Sequence, residues 1–511
     1  MKKFIVGKQK ITLEDLINVT RNNYQVEISE EAYKKVDEAR ALVDRYVKEK
    51  RVSYGITTGF GKFSDTVISE EETGILQRNL IMSHSCGVGN PISLDAARGI
   101  MLLRVVNMAK GHSGVRRIII DTLVEMINKG VTPFIPEKGS LGASGDLAPL
   151  SHMVLVMLGL GKAFYKDELL SGKEAMDRAG IKIIDALSSK EGLALINGTQ
   201  VMTSIGAHVT YDAISLMKHL DLAGALTMES QNGITCAFDP RVHEVRGHKG
   251  QIDTAENYRN ILAESKNTTK QGVVRVQDPY VFRCIPQIHG ASKDTLQYIK
   301  FKVETEMDAV TDNPIIFCDT DDVISGGNFH GQPMALPFDF LGIAISEMAN
   351  VSERRIERLV NPALNNGLPA FLVKNGGVNS GFMIVQYSAA SLVSENKVLA
   401  HPASVDSIPS SANQEDHVSM GTIAARKAGE ILKNARNVIA MELLTACQGI
   451  DLRESQDKLG KGTKKVYEEI RKVVSYYDKD RVMHIDINVM EELIKSNKIV
   501  EAVEKEIGKL N

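Results

Sequence analysis

The sequence predicts a mainly α protein built around a bundle of long helices. Beyond residue 200, helical periodicity extends over five long stretches, at roughly 201–231, 287–310, 333–360, 380–399 and 417–447. Strand signals are weak and short, as at Asp322-Val323-Ile324-Ser325. A helix of about thirty residues is roughly 45 Å long, which is more than a single compact domain needs. We therefore expect the long helices to pack against one another.

The stretch at 417–447 has a face built for packing. Small and aliphatic residues recur there at spacings of four and three, and these residues are Ala424, Ala428, Ile431, Ala435 and Val438. Prolines predict the helix boundaries nearby. Pro333 suits a first helical turn, whereas Asn361-Pro362 and Leu368-Pro369 are expected to end helices, because proline restricts the residue before it.

The first 200 residues are organised differently from the rest. Helical segments at about 93–110 and 115–129 alternate with glycine-rich loops, and functional residues concentrate in loops. No repeat, low-complexity tract or linker marks a domain boundary, so we place one where the periodicity changes. The sequence thus predicts an amino-terminal helical domain over 1–200, and a domain of long helices with carboxyl-terminal helices over 201–511.

Composition narrows the function classes. The 511 residues are 43% hydrophobic and 24% charged, which is typical of a globular protein with a sizeable core. The formal net charge is only -3, from 61 basic and 64 acidic side chains. Such a balance gives no electrostatic reason to expect a nucleic acid or a membrane surface as partner. We expect a small-molecule ligand.

The cysteines and the amino terminus favour a cytoplasmic protein. The five cysteines are odd in number and far apart, so neither a disulfide framework nor a paired-cysteine zinc site is indicated. The apolar run Phe4-Ile5-Val6 is too brief for a signal peptide, and no run approaches about 18 apolar residues. No HExxH motif is present, no metal is expected, and His243 and His248 are expected on the solvated surface.

The most informative motif is Ala143-Ser144-Gly145, which lies in the glycine-rich block 139–152. If the Gly145 nitrogen is pressed onto the Ala143 carbonyl, a ring can close, and loss of the Ser144 hydroxyl then leaves a methylidene on an imidazolone. Gly145 permits the close approach and Ala143 adds little bulk. Alone, this tripeptide is more often an ordinary turn, so the surrounding sequence decides whether ring closure is expected.

The block 139–152 resembles the signature of the aromatic amino acid ammonia-lyases, in which this tripeptide forms the methylidene-imidazolone. Seven further motifs are similar to those of the histidine-type members and follow in the same order: residues 54–61, Ser83-His84, residues 196–200, residues 277–284, Asp312-Asn313-Pro314, residues 326–331 and residues 410–417. The resemblance implies a fold like that of aspartase and fumarase, and a homotetramer with shared active sites. It also implies an autocatalytically formed electrophile with no external cofactor.

The same resemblance implies an activity and a set of site residues. The reaction is elimination of ammonia from L-histidine to give trans-urocanate. Tyr54 corresponds to the general base, which requires positive potential nearby to lower its pKa. Asn197 and Tyr280 correspond to residues that hold the substrate and the ring carbonyl, so the implied catalytic residues are Tyr54, Ala143, Ser144, Gly145, Asn197 and Tyr280. Without the resemblance, Tyr54 is more simply a packed tyrosine and Asn197 a turn residue.

Five further residues are implied in substrate binding. Arg283 is the natural clamp for a carboxylate, because a guanidinium meets two oxygens at once, although a surface ion pair is the commoner role for an arginine. Gln277 and Phe329 correspond to residues lining the pocket. His84 and Glu415 can hydrogen-bond the two nitrogens of an imidazole, whereas a phenyl ring would leave both groups unpaired. This pair therefore favours histidine as the substrate.

Two alternatives remain open at this point. One is a tyrosine or phenylalanine ammonia-lyase or aminomutase of the same family. The other is a helical oligomer that kept the fold and lost the reaction, since fold does not determine function. The intact tripeptide and Tyr54 argue against the second alternative.

Overall fold

A computed structural model describes residues 2–58 and 70–511, and for residues 70–73 it describes the backbone alone. The prediction of a mainly α fold is confirmed. The helices of the described part are α1 (Leu13–Thr20), α2 (Glu30–Lys48), α3 (Glu70–His84), α4 (Leu94–Met108), α5 (Arg117–Lys129), α6 (Leu147–Met157), α7 (Gly172–Arg178), α8 (Glu191–Ile196), α9 (Gln200–Ser230), α10 (Pro240–Glu244), α11 (Lys249–Ile261), α12 (Tyr280–Arg283), α13 (Ile285–Met307), α14 (Gln332–Val360), α15 (Met383–Leu399), α16 (Gly421–Leu452), α17 (Lys461–Arg471), α18 (Met483–Lys495) and α19 (Lys498–Ile507).

The five predicted long helices are α9, α13, α14, α15 and α16, and their ends lie within a few residues of the predicted ones. The packing face predicted on α16 is buried, with no more than 1% exposure at any of its five residues. Pro333 lies in the first turn of α14, and Pro362 follows the end of that helix at Val360. Leu368-Pro369 ends no helix, because residues 361–369 form turns. Local periodicity and the placement of Pro333 and Pro362 therefore predicted the helices, whereas Pro369 did not mark a helix end.

The strands are short and belong to small sheets. They are β1 (Lys3–Val6), β2 (Gln25–Ile28), β3 (Val88–Pro91), β4 (Thr132–Pro133), β5 (Pro136–Lys138), β6 (Lys162–Tyr165), β7 (Glu168–Ser171), β8 (Ile315–Phe317) and β9 (Asp322–Ile324). β1 and β2 pair in parallel with Lys3 opposite Gln25, while the pairs β3–β5, β4–β6, β6–β7 and β8–β9 are antiparallel. The strand expected near residue 322 is β9.

The chain divides into two compact units. The first comprises Met1–His208, Lys300–Asp339 and Pro402–Arg426, and the second comprises Val209–Ile299, Phe340–His401 and Lys427–Asn511. Each unit gathers three stretches that are distant in sequence, whereas the division predicted at residue 200 follows the chain. The nine strands found in residues 2–58 and 70–511 all lie in the first unit.

α14 is the one helix in the described ranges that is long and apolar enough to cross a membrane. Two-thirds of its most apolar window, 67%, is buried inside the protein. A core helix of a globular protein has the same length and composition, and the burial identifies α14 as such a helix.

Candidate active site

The loop that carries Ala143-Ser144-Gly145 connects β5 to α6 and lies in the first unit. Gly142 and Gly145 both have left-handed backbones, with φ of 70° and 69°. A β-carbon at Gly145 would lie 2.1 Å from the carbonyl oxygen of Gly198, so only glycine fits there. The Asp146 nitrogen donates to the same carbonyl at 2.8 Å. The tripeptide thus lies in a tight turn held against the loop that contains Asn197.

Asp146 anchors this turn, and the sequence analysis missed it. Its buried carboxylate accepts hydrogen bonds from Ser140 Oγ at 2.8 Å and from the Thr422 hydroxyl. It also accepts the backbone N–H groups of Val201 at 3.1 Å and Met202 at 2.9 Å, in the first turn of α9. Burial raises the pKa of this carboxyl, although each hydrogen bond opposes that shift. The signal available in sequence was an aspartate directly after the tripeptide and before a helix.

The structure brings together Ser144 and Glu415, two of the predicted site residues. Ser144 Oγ donates to Glu415 Oε1 at 2.7 Å, and Ser410 Oγ donates to Glu415 Oε2 at 3.1 Å. The segment around Glu415 is also tied to the turn itself, since Ser419 Oγ donates to the Gly142 carbonyl at 3.1 Å. Glu415 was predicted as a partner for an imidazole, and its observed contact is with the hydroxyl of the tripeptide.

His84 lies at the end of α3, half-buried, within electrostatic range of Glu415. Burial lowers the pKa of the His84 imidazole, and the Glu415 carboxylate opposes part of that shift. Ser83 Oγ lies 3.1 Å from His84 Nδ1. A neutral imidazole can both donate and accept a hydrogen bond, so His84 is suited to pair with a ring nitrogen of a ligand in either tautomer.

Asn197 follows the last residue of α8 and is 2% exposed. Its Nδ2 donates to the Asn313 carbonyl at 3.2 Å, while its Oδ1 is buried and accepts no hydrogen bond within the described ranges. A buried amide oxygen without a donor carries an energetic cost. It is therefore a natural acceptor for a ligand donor.

Two buried cations that sequence analysis missed hold the Asn197 loop. Arg104 Nη2 donates to the Asn197 carbonyl at 2.9 Å, and burial lowers the pKa of this guanidinium to about 10, which leaves it charged at neutral pH. Lys190 forms a fully buried ion pair with Asp312 at 2.9 Å. The signal for Arg104 was a lone charge inside the apolar run of α4, and Asp312 belongs to a motif already singled out.

Tyr54 and Phe329 lie in turns of the first unit. Tyr54 is half-buried, and its turn is anchored by Ile56, which packs into a core cluster with Val43 of α2 and Ile316 of β8. Phe329 is half-buried in the turn that precedes α14. Residues 59–61, the last three of the Tyr54 motif, lie outside the described residues.

Gln277, Tyr280 and Arg283 belong to the second unit. Gln277 is exposed, and Tyr280 is 67% exposed. Arg283 Nε donates to the Asp278 carbonyl at 2.9 Å, and its guanidinium lies 4.5 Å from the centroid of the Tyr280 ring. Within the described ranges, the Arg283 side chain makes one hydrogen bond, to this carbonyl, and forms no ion pair.

The prediction that His243 is solvated was wrong. His243 is fully buried; its Nε2 lies 2.9 Å from the Ala237 carbonyl and its Nδ1 lies 2.9 Å from Gln251 Nε2. Its burial follows from the packing of α10 on α11, which the short spacing to His248 did not indicate. His248 is exposed as expected. Across the ranges described, no three His, Cys, Asp or Glu side chains form a metal-binding group.

Comparisons with known proteins extend these observations. The sequence matches the family of aromatic amino acid lyases over residues 11–472. Histidine ammonia-lyase 1 of Fusobacterium nucleatum subsp. nucleatum is 72% identical over 508 residues, which cover 99% of this chain and 98% of that protein. Histidine ammonia-lyase of Alkaliphilus oremlandii is 65% identical and covers 99% of both chains.

Solved structures agree with this match. The structure of histidine ammonia-lyase from Trypanosoma cruzi has a TM-score of 0.92 at 41% identity, and covers 99% of this chain and 96% of that one. Tyrosine aminomutase from Streptomyces globisporus has a TM-score of 0.96 at 35% identity over the whole of both chains. The expected helical fold, like that of aspartase and fumarase, is confirmed. Over nearly its full length, the chain belongs to the aromatic amino acid lyase family.

Proposed function

We propose that this protein eliminates ammonia from L-histidine and releases trans-urocanate. The observation that carries the proposal is the hydrogen bond from Ser144 to Glu415, with His84 within electrostatic range of the same carboxylate. A carboxylate that contacts the serine of the tripeptide and acts on a nearby imidazole side chain supports binding of an imidazole next to the proposed electrophile. The relatives named histidine ammonia-lyase support the same substrate.

The residues of the turn fit the methylidene-imidazolone group of the family. Gly145 has the left-handed backbone of a tight turn, a β-carbon there would collide with the Gly198 carbonyl, and the Ser144 hydroxyl is held by an acceptor. Ala143, Ser144 and Gly145 would form the group without any external cofactor. When present, the group supplies an electrophile for the substrate amine, a role that a bound cofactor has in other enzymes.

The remaining roles follow from side-chain chemistry. Tyr54 accepts the β-proton of the substrate, and Arg283 holds its carboxylate through two parallel hydrogen bonds. Asn197, with its unpaired buried Oδ1, and Tyr280 orient the substrate, while Gln277 and Phe329 line the pocket.

Substrate choice depends on His84 and Glu415. These side chains hydrogen-bond the imidazole nitrogens, and a phenyl ring would leave each unpaired at a cost of roughly 1–3 kcal/mol. Similarity of the backbone does not distinguish between the possible substrates, because the tyrosine aminomutase structure superposes on this chain as well as the histidine ammonia-lyase structure does. The specificity pair therefore carries this part of the proposal.

We also infer a cytoplasmic homotetramer with shared active sites. Val273, Val274 and Val276 are 72%, 52% and 70% exposed and immediately precede Gln277 and Tyr280. An exposed apolar segment beside site residues is typical of an interface. All five cysteines are unpaired, which suits a reducing compartment.

An ultraviolet assay tests the proposed function. Purified protein is mixed with L-histidine, and the spectrum is followed for the appearance of urocanate. Parallel cuvettes contain L-tyrosine and L-phenylalanine. Formation of urocanate supports the proposal. Faster turnover of tyrosine or phenylalanine than of histidine favours the other members of the family. Absence of turnover with all three amino acids favours the inactive oligomer.

A further inference from the structure

Arg275 connects the segment that carries Gln277, Tyr280 and Arg283 to the carboxyl end of α9, all within the second unit. Its Nη2 donates to the carbonyl oxygens of Gln231 and Asn232, each at 3.1 Å. Those carbonyls belong to the residues that follow the last turn of α9, where backbone acceptors lack helical partners. One guanidinium thus satisfies two such acceptors.

Asp278 completes the connection. Arg275 Nε donates to Asp278 Oδ1 at 2.5 Å, and the backbone N–H of Ile234 donates to Asp278 Oδ2 at 2.6 Å. The Asp278 side chain is fully buried, while that of Arg275 is a quarter exposed. Both carboxylate oxygens are therefore engaged, one by Arg275 and the other by Ile234 just beyond α9, and these contacts hold residue 278 in place.

That backbone in turn orients Arg283. The carbonyl of Asp278 accepts the hydrogen bond from Arg283 Nε at 2.9 Å, and the guanidinium stacks over the Tyr280 ring. With Nε engaged, the two Nη groups of Arg283 make no hydrogen bond in the part of the chain that the structure describes. They are the pair of donors that a carboxylate would meet side by side.

Within one subunit, apolar packing does not replace these contacts, because Val273, Val274 and Val276 are exposed there. Asp278 also balances a cluster of cations. Arg358 lies within electrostatic range of both Arg275 and Asp278, and Arg453 lies within range of Arg275. Loss of Arg275 would leave Asp278 Oδ1 without its partner and remove the two contacts of the segment with the carbonyls that follow α9.

We propose that Arg275 is a positioning residue for carboxylate recognition, acting through Asp278 on Arg283. The inference rests on the proposed function, since it assigns Arg283 to the substrate carboxylate. It goes further by naming the group that sets the orientation of Arg283. Arg275 itself need not touch the substrate.

The test compares two competitive inhibitors that differ in the carboxylate. 3-(Imidazol-4-yl)propanoate keeps the carboxylate and lacks the amine, whereas histamine keeps the amine and lacks the carboxylate. In Arg275→Ala we expect the inhibition constant of the propanoate to rise by roughly tenfold or more and that of histamine to change by less than about twofold. The KM for L-histidine should rise more than kcat falls.

Three further variants sharpen the test. Arg283→Ala should show the same ligand pattern, and the double variant should lose little more than Arg283→Ala alone, because the two residues act in series. Arg275→Lys keeps the charge beside Asp278 and loses the double carbonyl contact, so an intermediate effect is expected. Arg241→Ala, which removes an exposed arginine paired with Asp239, is the matched control and should leave both constants unchanged.

The outcomes separate this inference from the proposed function. The positioning role is overturned if Arg283→Ala selectively loses propanoate binding while Arg275→Ala weakens both ligands equally or not at all. The proposed function is then left intact. If neither variant weakens binding of the propanoate more than binding of histamine, the positioning role is overturned as well. Wild-type protein without turnover of histidine overturns the proposed function and this inference together. If Arg275→Ala does not fold, as seen by circular dichroism, Arg275→Lys carries the same comparison.

Discussion

Ser144 Oγ and Glu415 Oε1 are joined by a hydrogen bond of 2.7 Å between residues 271 positions apart in sequence. The contact links the two parts of the proposed activity, since Ser144 is proposed to supply the electrophile and Glu415 is proposed to help select the substrate. The same carboxylate accepts a hydrogen bond from the hydroxyl that would leave during the proposed ring formation. Variants of Glu415 therefore test two properties at once, and each has to be measured separately.

Ring formation is tested by intact mass. The wild-type protein should weigh less than its sequence by two water molecules, and Ser144→Ala should lose the fast reaction because the methylidene carbon derives from the serine side chain. Ser171→Ala, at the exposed start of α7, is the control and should keep both the mass deficit and the activity. Full sequence mass in active enzyme would rule out the ring.

Gly145→Ala should prevent ring formation while Gly180→Ala should not. Both glycines have left-handed backbones, with φ of 69° and 62°, so the conformational penalty is matched. A β-carbon at Gly145 lies 2.1 Å from the Gly198 carbonyl oxygen, whereas one at Gly180 meets nothing within 4 Å. We expect full sequence mass and no urocanate from Gly145→Ala alone. A normal mass deficit in that variant would contradict the role of the close approach.

Tyr54→Phe should reduce kcat by a large factor and leave histidine binding mostly intact. A general base acts chiefly in the transition state, so its loss lowers kcat more than it changes ground-state affinity. Steady-state kinetics and the inhibition constant of histamine measure the two effects. Tyr165→Phe in β6 is the control. A near-normal kcat in Tyr54→Phe would show that another residue is the general base.

His84→Leu combined with Glu415→Gln should weaken turnover of histidine and reduce the bias against aromatic substrates. The change removes the hydrogen-bonding groups that a phenyl ring leaves unpaired. Because Glu415 contacts Ser144, intact mass must be recorded for each variant, and rates compared only among molecules that carry the ring. His248→Leu, at an exposed position, is the control. Unaltered specificity in the fully cyclised double variant would overturn the assignment of this pair.

Glu229 predicts a pH dependence of stability. Burial raises the pKa of its carboxyl from 4.5 to about 7, although Gly460 N donates to Oε1 at 2.8 Å. The carboxyl of Glu229 therefore stays protonated in the native state at pH values at which it is already ionised in the unfolded chain. The contribution to stability is present below the unfolded pKa and is lost as the pH rises through about 7, by an amount on the order of 3 kcal/mol.

Thermal unfolding of the wild type and Glu229→Gln measures this effect. Between about pH 5 and about pH 8, the melting temperature of the wild type should fall relative to that of the variant, because glutamine has no proton to lose. Glu492→Gln, at a 70% exposed side chain, is the control and should follow the wild type. Parallel pH curves for the wild type and Glu229→Gln would show that Glu229 does not titrate in this range.

Much of the fold followed from local sequence patterns. The buried face of α16 and the end of α14 before Pro362 depend on residues a few positions apart, so periodicity and proline placement predicted them. Prediction was poorest for charged groups whose environment is made by distant segments. Arg104 is buried inside α4 because the Asn197 loop covers it, and His243 is buried because α10 packs on α11.

By itself, the sequence determined the helical class through its 3.6-residue repeat, and its short motifs predicted the electrophile loop and the specificity pair. The tertiary structure alone decided that Glu415 meets the Ser144 hydroxyl, that Asp146 binds the start of α9, and that Arg275 ties the Arg283 segment to the end of that helix. The physical reason is that each of these contacts joins residues separated by tens to hundreds of positions. The packing of the helices sets the distance between these residues, and local sequence patterns do not predict that packing.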